Sequence, residues 1–404
     1  MKRILSLLIV VCVYTLNVYA QRNIPATFTT CNEHPARRTE IITPQVKGYN
    51  CYKADLHIHT SYSDGSVNPA GRVAEAWYDG LDILAITDHL ESHSGVRKFF
   101  KVTAPYNKNK RPIRYVVPGS TKMPKNGIDP GLKIDFNAIH KEAEASNKRN
   151  NYGLLLVKGC EMARNNERLG HYNALFVDDL NSIYNFELKE AFKNVKKQGG
   201  LIIHNHPGNV SKYETDWHSD VHKEGLIDGI EVANGFRYYP QMVNRCVERE
   251  YFMVGCTDTH GVTAHRYATT NCFRTHTIIF AKKCSEDKIK EALLKRRSIV
   301  YSGGDLIGEE EWLTEFLNAA IDCRLIRVNP KGNSRMFAFT NYSSYPYSLR
   351  IGRTVHVLEP FRTLTLSFGE DKKTGKLLNP SFRVDNMWVA NHLHPTIEIK
   401  IDQK

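Results

Sequence analysis

No two cysteines in this sequence stand in a C-x-x-C pair, although it contains nine in all. Their absence removes a zinc knuckle and a redox dithiol from consideration. Beyond residue 20 no apolar run is long enough to cross a bilayer, so a polytopic membrane protein is excluded. The chain has no internal repeat and no low-complexity tract, which excludes a solenoid and a composition-driven disordered chain. It also lacks the alternation of aromatic residues with Arg or Lys that would stack a nucleic-acid strand.

What is present begins with a leader. Met1-Lys2-Arg3, a mostly apolar stretch from Ile4 to Val18 and Val18-Tyr19-Ala20 before Gln21 match the basic, apolar and small-residue regions of a secretory signal. Residues 1–20 are therefore expected to be cleaved after Ala20, giving an exported, periplasmic or extracellular protein with no stable membrane insertion. An uncleaved anchor is the alternative, but the apolar stretch is short and contains Thr15 and Asn17. Export permits disulfides among the remaining cysteines: Cys31 with Cys51 first, and Cys272 with Cys284 as a bridge between neighbouring elements. The plainer reading makes several of them, Cys160 and Cys256 above all, small buried hydrophobes.

The 404 residues can bury one large core and leave room for a smaller second domain. The net charge of +12 suits an anionic substrate, yet part of it sits in one stretch, Arg97 to Arg114 with Lys122 and Lys125, that reads as a long loop. Such a loop could steer a phosphate ester, but a solvated surface is the more frequent explanation. From Cys51 to about Ser302 strands and helices alternate, predicting an α/β fold with a largely parallel barrel. Asn68-Pro69 marks a helix start. Past a helix at Glu309 to Ala320, period-two runs separated by turn residues describe a β-sandwich over residues 303–404.

Metal-ligand residue types recur along the barrel: His57-Ile-His59 with Asp64, Asp88-His89, Glu161, His171, His206-Pro207 and Asp258-Thr-His260. Five apolar runs lead into them, Ala54 to Ile58, Ile83 to Ile86, Leu154 to Val157, Leu201 to Ile203 and Phe252 to Val254. The carboxyl ends of barrel strands are where such a fold keeps its chemistry. Each fragment alone is more often structural. Together, six imidazoles and three carboxylates exceed the needs of one tetrahedral ion and suggest two or three. In Ser63-Asp64-Gly65 the glycine is expected to let the chain turn so that Asp64 faces back to the strand ends.

These motifs resemble those of the polymerase and histidinol phosphatase (PHP) superfamily, metal-dependent phosphoesterases with a distorted (β/α)7 barrel. The match runs from Tyr52 to Ser302 and rests on H-x-H and S-D-G, T-D-H at Thr87 to His89, G-x-E at Gly159 to Glu161, His171, H-P at His206 and D-x-H-G at Asp258 to Gly261. The resemblance implies a catalytic domain over residues 21–302 and three ions. His57, His59, Glu161 and Asp258 would hold the first, Glu161, His171 and His206 the second, and Asp64, His89 and His260 the third. The overall layout is similar to that of exported bacterial members with a small carboxy-terminal β domain, some of which act on phosphodiesters.

Physical chemistry supports the same expectation. Two cations bridged by Glu161 would lower the pKa of a shared water and generate an attacking hydroxide, while a third would offset charge on the phosphoryl oxygens. Mixed imidazole and carboxylate shells favour Zn²⁺, Mn²⁺ or Fe²⁺. Glu161 and Asp258 are then the catalytic centre, and His93 is a candidate general acid. Arg164 and Arg237 are candidate phosphate contacts, with surface solvation as the competing reading. His204 shares a strand face with His206 by alternation and is expected to support the site or the core, and Asp88 to orient a neighbour. A small phosphate ester is the expected partner. Phosphomonoesters or an exonuclease substrate are alternatives, with nucleic acid not favoured. A reading of another class makes the sandwich a glycan- or surface-binding module through Tyr342 to Tyr347 and Trp388, although core packing is the safer account of Trp388.

Overall fold

Strand β1 (Asn50–Asp55) runs parallel to β2 (Ile83–Ile86), and β2 parallel to β3 (Leu155–Ala163). The computed structural model describes residues 37–90, 135–163, 169–185, 187–207, 215–370, 374 and 376–401. The signal at 1–20, Cys31, His93, Arg164 and the basic stretch with Lys122 and Lys125 lie outside these residues.

Direction then reverses. β4 (His171–Leu175) is antiparallel to β3 and to β5 (Leu201–Asn205), and parallel order resumes through β6 (Gly229–Asn234) and β8 (Phe252–Cys256). The short β7 (Arg237–Tyr238) folds back on β6. The parallel barrel expected from the alternation is thus interrupted at β4, because the stretch of sequence between β3 and β4 is too short to hold a crossover helix, and the two strands pair antiparallel. The end of β8 meets the end of β1 through an Ile58–Thr259 bridge, with His59 N donating to Thr259 O at 3.2 Å and Asp258 N to His57 O at 2.9 Å, so the sheet curls on itself.

On the other side of β1 lie β9 (His276–Ala281), β10 (Ser298–Ser302) and β11 (Asp305–Gly308), each antiparallel to its neighbour. Among the described residues twelve strands form this sheet. β2, β5, β6, β8 and β9 are buried along their whole length, as strands covered on both faces must be. Helices supply the cover. α1 (Pro69–Tyr78) starts where Asn68 Oδ1 accepts from Gly71 N at 2.7 Å, as Asn68-Pro69 predicts, and α2 (Asn137–Arg149) packs beside it. α3 (Leu188–Lys197), α4 (Asp216–Lys223), α5 (Pro240–Arg249), the short α6 (Thr263–Tyr267) and α7 (Glu286–Leu294) follow their strands.

After α8 (Glu310–Ala320) come two small sheets. One is β12 (Ile321–Val328), β13 (Ser334–Asn341) and β16 (Thr363–Gly369). The other orders β15 (Thr354–Leu358), β14 (Tyr347–Ile351), β17 (Ser381–Val384) and β19 (Thr396–Glu398). Phe339 and Phe368 of the first meet Phe382 of the second edge-on, at ring separations of 5.3 and 5.7 Å. Trp388 is not in that core. It lies on β18 (Met387–Trp388), which pairs with β11 and so extends the large sheet. Tyr345 and Tyr347 are buried, leaving Tyr342, 56 % exposed, as the open ring of that stretch.

Cys272 and Cys284 are both free, and geometry explains why. They flank β9, whose six residues span about 20 Å, whereas a disulfide needs Cα atoms within about 7 Å. Cys51 is also free, its thiol donating to Pro44 O at 3.1 Å, and Cys160 and Cys256 are buried as small apolar groups.

His276 of β9 ties the large sheet to the segment before β14. Its Nδ1 donates to Arg274 O at 2.6 Å and its Nε2 accepts from the Tyr345 hydroxyl at 2.8 Å. Burial pushes its pKa down to about 4. Since an unfolded histidine titrates near 6.5, the stability of the neutral ring is fully present above that pH. About 3 kcal/mol should be lost as pH falls toward 4. Urea unfolding at the two pH values checks this: His276→Gln should lose less over the window, and equal losses in both proteins would refute the assignment.

Candidate metal centre

The rim where β1, β3, β5 and β8 end, together with the start of β4, carries the clustered ligands. Alternation on the extended segment after β1 places His57 and His59 on one side, with their Nε2 atoms 3.1 Å apart. Asp258 Oδ1 lies 3.3 Å from His57 Nε2 and 3.1 Å from His59 Nε2. Glu161 closes the group at 3.4 Å from each imidazole. Metal–ligand bonds of about 2.0–2.1 Å give tetrahedral edges of about 3.3–3.4 Å and shorter octahedral ones, so these spacings suit a common cation.

Glu161 is fully buried and faces five imidazoles. Besides His57 and His59, its Oε1 lies 3.2 Å from His171 Nδ1 and 3.5 Å from His206 Nε2, and its Oε2 lies 3.1 Å from His89 Nδ1. Asp64 gathers a further group: His260 Nε2 at 3.2 Å, His59 Nδ1 at 3.5 Å and His89 Nε2 at 3.6 Å. Four overlapping sets follow, namely His59, Asp64, His89 and His260; His57, His206 and Asp258; His57, His59 and Glu161; and Glu161, His171 and His206. All nine residues of the sequence pattern are therefore within one cluster. His171 reaches it from the first residue of an antiparallel strand, not from a strand's carboxyl end.

Electrostatics suit the cluster to a cation. Burial alone would lower the His57 imidazole, but Asp258, Glu231 and Glu161 outweigh it and hold its pKa well above the ordinary value. Against the opposing effect of burial, His89 and His57 hold Glu161 well below the usual carboxylate range, and His57 and His59 do the same for Asp258. A low-dielectric pocket of ionised carboxylates and imidazoles invites a cation to replace the protons.

The supporting residues fix which atoms face inward. Glu231 Oε1 accepts from His57 Nδ1 at 2.8 Å. A carboxylate only accepts, so His57 keeps its Nε2 lone pair for the cluster. Likewise His260 Nδ1 donates to Asp258 O at 2.9 Å, leaving its Nε2 toward Asp64. Glu231 Oε2 also accepts from His206 N at 2.6 Å and Asn234 Nδ2 at 3.1 Å, and Asn234 Nδ2 reaches Asp258 Oδ2 at 3.3 Å. Asn205 donates to Glu161 Oε1 at 2.8 Å. Asp88 orients the turn after β1, accepting from Thr60 N at 2.7 Å and from Ser63 Oγ. His206 and Asp258 both have left-handed backbones, φ +28° and +50°, a conformation that costs free energy and is kept where the site requires it.

The left-handed twist at His206 ends the alternation of β5. His204 consequently points the other way, stacked on Tyr172 at 4.6 Å and near His218 at 5.7 Å, and is a core imidazole. Gly65 is required for a different reason from the one expected. A Cβ there would lie 2.7 Å from His59 O, so the demand is close approach and not a left-handed turn. Arg237 sits exposed on β7, within hydrogen-bonding reach of the Tyr239 hydroxyl. Glu231, Asn205 and Arg72 escaped the sequence reading. Glu231 had a signal, a lone carboxylate in the apolar run Gly229 to Val232, whereas Arg72 is masked by an ordinary helix sequence.

Arg72 is wholly buried and joins two rim segments. Its guanidinium donates to His59 O at 2.8 Å, Thr259 O at 3.2 Å, His260 O at 3.0 Å and Gly261 O at 2.7 Å. A cavity of about 500 Å³ opens beside Asp258 and His260, with His265 and Arg266 of α6 on its wall.

Glu231→Gln should leave the nine cluster residues in place yet weaken divalent-metal binding by about 10–100-fold, because the His57 tautomer is no longer enforced by a charged acceptor. Metal titration by calorimetry measures it. Unchanged affinity would show that Glu231 only packs.

Residues 55–227 match the family profile of the PHP domain. Among solved structures the chain is similar to a two-domain protein from Bacteroides vulgatus described as containing a predicted PHP-like metal-dependent phosphoesterase. Identity is 28 %, coverage is 91 % of this chain and 99 % of that one, and the TM-score is 0.75. It also matches a putative metal-dependent phosphoesterase from Bifidobacterium adolescentis, at 15 % identity, 60 % and 96 % coverage and a TM-score of 0.36. Comparison with curated proteins gives no match.

Proposed function

Because this chain carries a PHP domain over residues 55–227, we propose that it is a metal-dependent phosphoesterase acting on small organic phosphate esters. The observation that carries the reading is Glu161, buried against five imidazoles with Asp258 closing the group.

Three cations are proposed for these donors, whose sets overlap. His57, His59, Glu161 and Asp258 would hold one, Glu161, His171 and His206 a second, and Asp64, His89 and His260 a third. Imidazole and carboxylate donors favour Mn²⁺, Zn²⁺ or Fe²⁺. Divalent cations held there supply Lewis acidity, bringing a water's pKa toward neutrality and offsetting phosphoryl charge. The chain's own groups do the rest. Glu231 and Asn205 hold His57 and Glu161 in orientation, and Arg266 presents positive charge on the wall beside Asp258, next to the His265 ring. Hydrolysis adds the oxygen of water to phosphorus and breaks the ester P–O bond, and the departing alkoxide takes up a proton. The likeness in layout to exported phosphodiesterases favours diesters, and the leader favours export.

The test is hydrolysis of bis(p-nitrophenyl) phosphate beside p-nitrophenyl phosphate by protein loaded with Mn²⁺ or Zn²⁺, with Asp258→Ala as control. Metal-dependent diester turnover that disappears in the variant supports the reading. Preference for the monoester moves it to a phosphatase, and no turnover of either by metal-loaded protein overturns it.

A further inference from the structure

His59 is eligible for two ions. It belongs to the set with His57 and Glu161 and also to the set that gathers Asp64, His89 and His260. Its two ring nitrogens face different groups: Nε2 lies 3.1 Å from Asp258 Oδ1 and 3.4 Å from Glu161 Oε2, whereas Nδ1 lies 3.5 Å from Asp64 Oδ1. A neutral imidazole has one lone pair and one N–H, so the place of a single hydrogen decides which ion the ring serves. For His57 the matter is settled by Glu231, which accepts from its Nδ1. The carboxylate that faces His59 Nδ1, Asp64, is itself a member of the cluster and so is not free to play that part.

The group placed to decide is a hydroxyl. Ser63 is wholly buried, and its Oγ lies 3.3 Å from His59 Nδ1. Two carboxylate oxygens also stand around that hydroxyl, Asp64 Oδ1 at 3.3 Å and, closer, Asp88 Oδ1. A serine has one proton to give, and it goes to Asp88, the closest acceptor. Thr60 behaves in the same way: its Oγ1 accepts from Tyr62 N at 3.1 Å and donates to Asp88 Oδ2 at 2.5 Å. With its proton committed, Ser63 Oγ offers His59 only lone pairs. Nδ1 must then carry the hydrogen, which leaves the Nε2 lone pair facing Asp258 and Glu161.

Resting on the reading of the cluster as a metal centre, we propose that Ser63 and Asp88 are positioning residues that assign His59 to the ion held with His57, Glu161 and Asp258. His59 Nδ1–H donates to Ser63 Oγ, whose own proton goes to Asp88, and this relay keeps His59 out of the set around Asp64. The two imidazoles of one ion are thus fixed by different means, His57 by a carboxylate in contact and His59 by a carboxylate acting through a hydroxyl. Because Ser63 precedes Asp64 and Asp88 precedes His89 in the chain, the same bond joins the two segments that bear those ligands.

The experiment uses the Zn²⁺-loaded full chain with isotopically labelled histidine, and reads each imidazole by long-range proton–nitrogen NMR. The His59 signals are identified by their loss in His59→Gln. His59 should show a protonated Nδ1 and a metal-bound Nε2. Ser63→Ala removes one oxygen from a buried position; it should abolish the hydrogen-bonded Nδ1–H resonance and weaken Zn²⁺ binding, measured by calorimetry, by about tenfold. Asp88→Asn separates charge from shape. Thr60 N and Ser63 Oγ both bond to Asp88 Oδ1, so an amide oxygen can keep both while the amide nitrogen donates to Thr60 Oγ1. The Nδ1–H resonance should then persist but move upfield, with a smaller loss of affinity, and this variant decides the matter alone if Ser63→Ala does not fold. A metal-bound Nδ1 in the unaltered protein, an Nδ1–H resonance indifferent to both substitutions, or unchanged Zn²⁺ affinity in both would overturn the proposal and leave the metal-centre reading intact. A chain that binds no Zn²⁺ would overturn both, and none of these results depends on turnover of a phosphate ester.

Discussion

Glu161→Gln is expected to reduce metal-dependent phosphoester turnover by on the order of 10³-fold, with loss of bound metal, while the protein stays folded. The amide keeps the shape but removes the negative charge that five imidazoles surround, and one of its two ends becomes a donor. Cations at this centre would be held through the carboxylate oxygens of Glu161, and the amide nitrogen of glutamine offers no lone pair in their place. Turnover and metal content by plasma spectrometry are measured together. Full metal with full activity would show that Glu161 bridges nothing, and lost metal with unchanged circular dichroism is the expected pair of results.

The second large effect is on stability. Arg72→Met should destabilise the protein by about 3–5 kcal/mol in urea, because His59 O loses its donor, the carbonyls of Thr259, His260 and Gly261 each lose one of theirs, and the Glu75 carboxylate, still held by Thr263 N, loses its cation. Arg72→Lys should recover little of this, since one ammonium cannot reproduce the planar fork. The same variants should weaken metal binding, because Arg72 holds the segment bearing His59 to the one bearing His260. If Arg72→Lys restores stability fully, the fork geometry is irrelevant.

Those two residues also show what could be read from the chain alone. Glu161 was legible: it follows an apolar run, in G-x-E, and carboxylates rarely sit at a buried strand end without a partner. His57 and His59 were legible through the period of an extended chain. Arg72 was not, because its helix reads as an ordinary amphipathic one and its role depends on two rim segments that are distant in sequence. The reversal at β4 was hidden for a related reason: a strand of five residues reads the same whichever way it runs, and only the short link from β3 decides. His204 was assigned to the wrong face because alternation presumes regular backbone, and His206 departs from it. Trp388 was expected in the sandwich, but two residues carry too little pattern to announce that they pair with β11.

That last pairing bears on how the molecule is made. Translation delivers β11 well before Met387 and Trp388, so its outer edge waits uncovered while the intervening strands are synthesised. An open edge is a template for another chain, and the fold answers it with a strand that arrives late. Folding of the large sheet is therefore coupled to completion of the sequence that follows it, and a ribosome stalled within β12 to β17 would display a sticky, unfinished rim. The two parts of this protein are better regarded as a single inheritance than as modules free to be exchanged.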